Sequence, residues 1–320
     1  MNSMDSFRER FEALEQQTEQ LRQQTQTLEA QTHTLARQAR WWRGIACGVV
    51  VLALLGIPLQ SGKAQYEAKD LAQRVADLEY KLQYVSGGAG QVVITGANLH
   101  IVNGLGTTDT TNGLGNLIVG YNEPRTFDLP DIRTGSHNVV VGSQHNFSRF
   151  GGLVAGQQNE ISGDFASVSG GAFNTASGVF SWVSGGASNT ASGQSSSVSG
   201  GVFNEASNSG ASVSGGFANT ASGGFASVSG GFANTANAFG GYSSVSGGSG
   251  NTASGALASV SGGQLNTASG VHSSVSGGFA NTASGESASV SGGFNVTQTT
   301  DRGWSAGSFG GGVSGSFSSP

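Results

Sequence analysis

Ser212-Val213-Ser214-Gly215-Gly216-Phe217-Ala218-Asn219-Thr220-Ala221-Ser222-Gly223-Gly224-Phe225-Ala226 is one period of a pattern that starts again at Ser227-Val228-Ser229-Gly230. The string Ser-Val-Ser-Gly-Gly, or a near copy, recurs with its valine at Val168, Val183, Val198, Val213, Val228, Val245, Val260, Val275 and Val290. The step is 15 residues, except for one of 17 whose extra residues fall between Asn234 and Val245. A second string, Asn-Thr-Ala-Ser-Gly, interleaves with the first, its asparagine at Asn174, Asn189, Asn204, Asn219, Asn234, Asn251, Asn266 and Asn281. A fixed period of this length marks a solenoid, in which no turn of chain buries its own apolar face and each must stack on the next.

Each repeat holds two short strand candidates. Alternation along a strand points Val168 to one face and Ser167 and Ser169 to the other. It likewise points Ala176 inward between Thr175 and Ser177. Glycines supply the tight or positive-φ corners. The asparagine before the second strand suits a turn, and its stacked copies would form a ladder. Nine coils at about 4.8 Å predict a rod of roughly 40 Å. One Val and one Ala per coil make a thin core against a backbone ordering cost of roughly 1–2 kcal/mol per residue. Lateral packing of chains is the simplest remedy. Phe173, Phe203, Phe217, Phe232 and Phe279 are candidates for that contact, or else pack over the coil ends of their own chain.

Composition agrees with a fibrous class. The 320 residues include 54 glycines and only 10% charged residues, against about 7% and 25% in ordinary globular chains. From Asp164 onward the charged or histidine side chains are Asp164, Glu205, His272, Glu286, Asp301 and Arg302. With no basic stripe, nucleic acid is not expected as a partner. The single cysteine, Cys47, excludes an intrachain disulfide framework.

Upstream of the regular repeats the pattern loosens. Residues 87–164 are expected to form an irregular base of the solenoid. There Asn116-Leu117-Ile118-Val119-Gly120, Asn138-Val139-Val140-Val141-Gly142 and Gly152-Leu153-Val154-Ala155-Gly156 align with Ser-Val-Ser-Gly but carry apolar residues on both faces. Glu123 to Gly135, with Pro124 and Pro130, reads as an inserted loop. Residues 165–297 form the regular solenoid, and 298–320 a cap or tail.

The first 86 residues are of another kind. Phe7, Phe11, Leu14, Thr18, Leu21, Thr25, Leu28, Thr32, Leu35 and Ala39 recur in heptad steps, predicting a coiled coil over 1–40. Trp41-Trp42-Arg43 precedes an uncharged run from Gly44 to Leu59, so 41–60 is expected to be one transmembrane helix with the Trp pair at the interface. Arg37, Arg40 and Arg43 before it place the N-terminus in the cytoplasm and export the repeats, to periplasm or cell surface. The rival is a cleaved signal peptide, with Gly62 and Ala64 at the cleavage site. Leu71, Val75, Leu78, Leu82 and Val85 continue the heptads, so 61–86 is expected to be a neck coiled coil. Arg74, Val75, Leu78 and Glu79 match the Arg–apolar–x–x–apolar–Glu pattern of three-stranded coiled coils, and Arg10, Phe11, Leu14 and Glu15 match it in the first coil. The fold class expected is therefore an all-β repeat solenoid, a parallel β-roll of 15-residue coils, with N-terminal α-helical coiled coils and one transmembrane helix.

Units such as Ala221-Ser222-Gly223-Gly224-Phe225-Ala226-Ser227-Val228-Ser229-Gly230 resemble the head repeats of trimeric autotransporter adhesins. The resemblance covers about residues 138–297. It implies a left-handed parallel β-roll, a homotrimer, a neck coiled coil beside the head, and adhesion. That family is anchored by a C-terminal barrel of four strands per chain. Here Gly315-Ser316-Phe317-Ser318-Ser319-Pro320 shows no such strand, and the expected anchor is the N-terminal helix, so no binding residue carries over.

Catalysis needs convergent titratable groups, and the repeats hold almost none. No catalytic, cofactor or metal residue is expected, and no enzyme. His137 and His145 each precede an asparagine in consecutive coils and are read as turn residues or as a metal pair. Six-residue acyltransferase helices do not share the 15-residue period. The function expected is a membrane-anchored, exported trimeric fibre, structural or adhesive, with an unspecified ligand. The alternatives are an ice- or crystal-binding solenoid using the Thr-x-Ser columns, and a carbohydrate-active β-helix, which the lack of acidic clusters opposes.

Overall fold

The computed structural model describes residues 62–125 and 130–307. Residues 1–61, which include the expected first coiled coil and the membrane span, lie outside the described residues, as do Arg10, Phe11, Leu14 and Glu15. Among the described residues no helix is long and apolar enough to cross a membrane.

Two units divide between Leu99 and His100. In the first, α1 spans Gly62–Lys81 and is followed by a hairpin of β1 (Val85–Gly88) and β2 (Gln91–Ile94). The expected neck therefore stops short of 86, and Val85 sits in a strand. The cause is local. Ala89 and Gly90 both have positive φ (50° and 84°), which is the geometry of a tight two-residue hairpin turn. Gly87 and Gly88 remove helix-forming side chains just before it.

The second unit is an all-parallel solenoid of about eleven turns. Eleven turns each give one strand to a 13-stranded sheet, which runs from Leu117–Val119 to Trp304–Ser305 with one further strand at either end, and one to an 11-stranded sheet, from Asn146–Phe147 to Thr297–Gln298. We call these the valine and alanine sheets. Register is one coil per step: Val183 pairs with Val168 and Val198, Ala191 with Ala176 and Ala206. A third line of single parallel bridges runs from Gln157 through Ala172, Val202 and Phe232 to Phe294.

The coils begin at Leu117, later than the sequence pattern suggests. Residues 95–116 form no strand. There Asn103 and Asn112 accept the N–H groups of Leu105 and Leu114 (2.9 and 3.0 Å). Such side-chain turns satisfy locally the donors that a ladder would otherwise take. The inserted loop after Tyr121 docks through Arg125. Its guanidinium donates to the carbonyls of Gln144, Gln158 and Asn159 at 3.0–3.1 Å and lies 3.6 Å from Glu160.

Two stacked columns line the sheets on the inside, and a third, with Ala166, Ala211, Ala226, Ala258 and Ala288, stands just before the valine strands. Val140, Val154 and the nine repeat valines from Val168 to Val290 are 0–1% exposed. Facing them stand Phe147 and Ile161, then alanines from Ala176 to Ala283. The seventeen-residue step is absorbed without breaking register: Ser244 and Val245 still pair with Ser227 and Val228. At the last coil both columns turn polar. Gln298 replaces alanine and Ser305 replaces valine. Gln298 Nε2 donates to Ser305 Oγ (3.0 Å), while its Oε1 accepts from the Thr300 N–H (2.8 Å). Residues 298–307 thus close the apolar core with a satisfied polar layer, as terminal repeats of solenoids require.

A buried asparagine column joins the coils at one corner. Asn174 Nδ2 donates to Gly170 O (3.2 Å) in its own coil and Gly186 O (3.0 Å) in the next, while Oδ1 accepts from the Asn189 N–H (2.9 Å). The same three bonds recur at Asn189, Asn204, Asn219, Asn234, Asn251 and Asn266. Asn281 ends the run by accepting the Val296 N–H (2.9 Å).

Candidate functional site

A single chain of this kind offers its outer surface for function, and that surface is built by the coil itself. On the valine sheet, Ser167, Ser197, Ser212, Ser227, Ser244, Ser259, Ser274 and Ser289 face outward in register, with Trp182 and Trp304 in the same column. On the alanine sheet the outward column is Thr175, Thr190, Thr220, Thr235, Thr252, Thr267 and Thr282, interrupted by Glu205. In the first coils the outward valine-sheet column is apolar: Leu117, Val139 and Leu153.

The corners carry the aromatics. In each regular coil two positions beyond the double glycine have positive φ: Phe173 (60°) and Phe180 (56°) in one coil, Phe203 (57°) in another. The second of these positions is filled by Phe165, Phe180, Phe225, Tyr242, Leu257 and His272 in successive or nearby coils. Assigning positive φ only to glycine misses these residues. Their sequence signal is a bulky or variable residue two places before each Ser-Val pair. Aligned corners bring rings of adjacent coils together. Phe165 stacks on Phe180 (centroids 5.2 Å, planes 5° apart), Phe225 on Tyr242 (5.2 Å, 8°) and Phe217 on Phe232 (5.5 Å, 5°). Phe203 meets Phe217 edge to face at 5.6 Å. Ring contacts with neighbouring coils still leave Phe203, Phe217, Phe232 and Phe279 between 37% and 56% exposed, and Phe173 is 55% exposed.

In α1, Val75 and Leu78 are exposed, and Arg74 lies 3.9 Å from Asp70 on its own helix. The helix thus presents an uncovered apolar seam in this chain.

Each of the two histidines is held by backbone partners. His145 is buried at the head of the asparagine column. Its Nδ1 accepts the Asn159 N–H (3.2 Å), so Nε2 carries the proton and donates to Val141 O (3.0 Å). Those are the two roles that Oδ1 and Nδ2 play in each asparagine. Burial lowers its pKa below the ordinary histidine value. His137 Nε2 accepts the Asn103 N–H (3.2 Å) and its Nδ1 donates to Thr108 O (3.0 Å). Among the described residues no three metal-ligating side chains gather. Arg149 and Asp164 form a two-bond pair across adjacent coils (2.6 and 3.0 Å), and the carboxylate raises the arginine pKa further.

No protein-family model matches the chain, and no curated protein matches it.

Proposed function

We propose that the chain is a non-enzymatic, membrane-anchored fibre of three chains with a structural or adhesive role, its repeat domain exported. The supporting observation is the seam of stacked phenylalanines at the double-glycine corner. Phe203, Phe217 and Phe232 remain about half exposed after stacking on one another. Apolar surface left open along a rod is a lateral contact in waiting, at about 25 cal/mol per Å² removed from water. Val75 and Leu78 on α1 supply a second uncovered seam of the kind that a coiled coil buries. In this reading residues 41–60 anchor the fibre, with the N-terminus in the cytoplasm.

The test is the mass of the full chain in detergent, by light scattering after size exclusion. Three chains per particle are expected. A monomer would remove the fibre reading, because a lone rod would then tolerate its open aromatic seam. Protease added to intact cells should digest the repeats; full protection would place them inside.

A second reading has its own observation. The threonine column of the alanine sheet is in register, with one hydroxyl per coil except at Glu205, a geometry suited to ordered water or a crystal face. Thermal hysteresis of the purified chain would support it, and none would remove it.

A further inference from the structure

The valine-sheet column changes character at two points. From Ser167 to Ser289 it carries serine, except at Trp182; Trp304 follows at the last coil, eight coils after Trp182. The two indoles are held alike. Trp182 Nε1 donates to Ser169 Oγ (3.2 Å) and Trp304 Nε1 to Ser291 Oγ (2.6 Å), each reaching back to the preceding coil. Beside Trp182 lies an open cleft of about 410 Å³, lined by Leu153, Phe165, Ser167, Ser169, Phe180 and Trp182, with Ser181 at its edge. Its wall is the parallel pair Phe165–Phe180. Trp182 is 48% exposed although its nitrogen is pinned.

We infer that this cleft binds a neutral polysaccharide, one sugar stacking on Trp182 and the phenylalanine wall. A pyranose has an apolar C–H face and a rim of hydroxyls. The cleft offers the complement: aromatic faces, and the hydroxyls of Ser167 and Ser169, each able to donate and accept. No lining residue ionises, and Asp164, next to Phe165 in the chain, is paired with Arg149. A charged ligand would be desolvated there without a counter-charge. Seven residues are too few for a protein partner, which needs about 800 Å² per side. Along the rod, one serine hydroxyl per coil repeats at about 4.8 Å, a spacing close to the length of one sugar in an extended glycan, and Trp304 repeats the indole geometry at the far end.

The inference rests on the adhesive reading and names its ligand class. The full chain in detergent is mixed with insoluble cellulose, with chitin, and with dextran sulfate beads, and the bound fraction is measured. The variants are Trp182→Ser, Trp304→Ser and Trp182→Phe. Serine occupies this column in eight other coils, so the serine variants fold, and a thermal melt checks it. Retention on cellulose or chitin is expected, weakened at least tenfold in Trp182→Ser and largely kept in Trp182→Phe. Equal binding by Trp182→Ser, retention on dextran sulfate alone, or retention on none of the three overturns the inference. Adherence of cells bearing the chain to a protein-coated surface separates the two readings. Adherence there that is indifferent to Trp182→Ser keeps adhesion and sinks the glycan site. Cells that adhere to nothing sink both.

Discussion

Gly200 and Gly201 are neighbours with opposite reasons to be glycine. A Cβ on Gly200 would meet nothing within 4 Å. On Gly201 it would collide with the carbonyl oxygen of Gly216 and the Asn204 amide, at a φ of +83°. An L-residue pays about 1–2 kcal/mol for that backbone alone. Gly201→Ala is therefore expected to destabilise the rod by more than about 2 kcal/mol, and Gly200→Ala by less than about 0.5 kcal/mol, both read from chemical denaturation. The column just before the valine strand gives a second contrast. It holds Ala166, Ala211, Ala226, Ala258 and Ala288, but also Ser181, Ser196 and Ser273, whose buried hydroxyls have no hydrogen-bond partner. A buried unmet hydroxyl costs about 1–3 kcal/mol. Ser196→Ala should raise stability by about 1 kcal/mol, and a lower melting temperature would count against the site being dry.

At the scale of the element, the asparagine column is a single hydrogen-bonded device that starts on a titratable ring. Protonating His145 would put an Nδ1–H against the Asn159 N–H, two donors facing each other. Burial and the nearby Arg125 charge act in the same direction, lowering the folded-state pKa, against which the bonds to Val141, Asn159 and Gly156 work only in part. Glu160 pairs with Arg125 beside it and offsets that charge. With the folded pKa below the unfolded value of about 6.5, the unfolded chain binds the extra proton more readily. The stabilisation is present above pH 6.5 and is lost as pH falls through the folded pKa. The first coils should loosen in that acid range, seen as faster amide exchange at Asn159 and Glu160. His145→Asn keeps both bonding roles and should flatten that pH dependence; an unchanged profile would show that another group is responsible.

The whole rod is held by contacts between adjacent coils, so its stability is close to a sum of nearest-neighbour terms. Asn204→Ala removes four bonds and leaves the buried Asn219 N–H and the Gly200 carbonyl without the partner that held them, while Gly216 keeps the Val202 N–H. The loss should be about 3 kcal/mol, and it should stay local. Amide exchange is expected to rise between Val198 and Val213 while Val275 and Val290 stay protected. Uniform loss of protection would mean that the coils open as one unit.

Much of this architecture is legible in residue order. The 15-residue period leaves in-register parallel stacking as the arrangement that hides every Val168-type and Ala176-type side chain at once, and it lines the asparagines up at one corner. What a local pattern does not carry is the demand made by a neighbour 15 residues away. The bonds that close each coil onto the next hold Phe165 and Phe180 at positive φ, and at that corner their rings lie face to face. The same holds for Arg125, whose three carbonyl partners lie 19 to 34 residues on, and for His145, which reads as a loop residue until the Asn159 N–H arrives to claim its Nδ1. Repetition in the chain settled which residues point inward; closure between distant coils settled what the corners and the outer face present, because hydrogen bonds between coils are satisfied only after the coils have met.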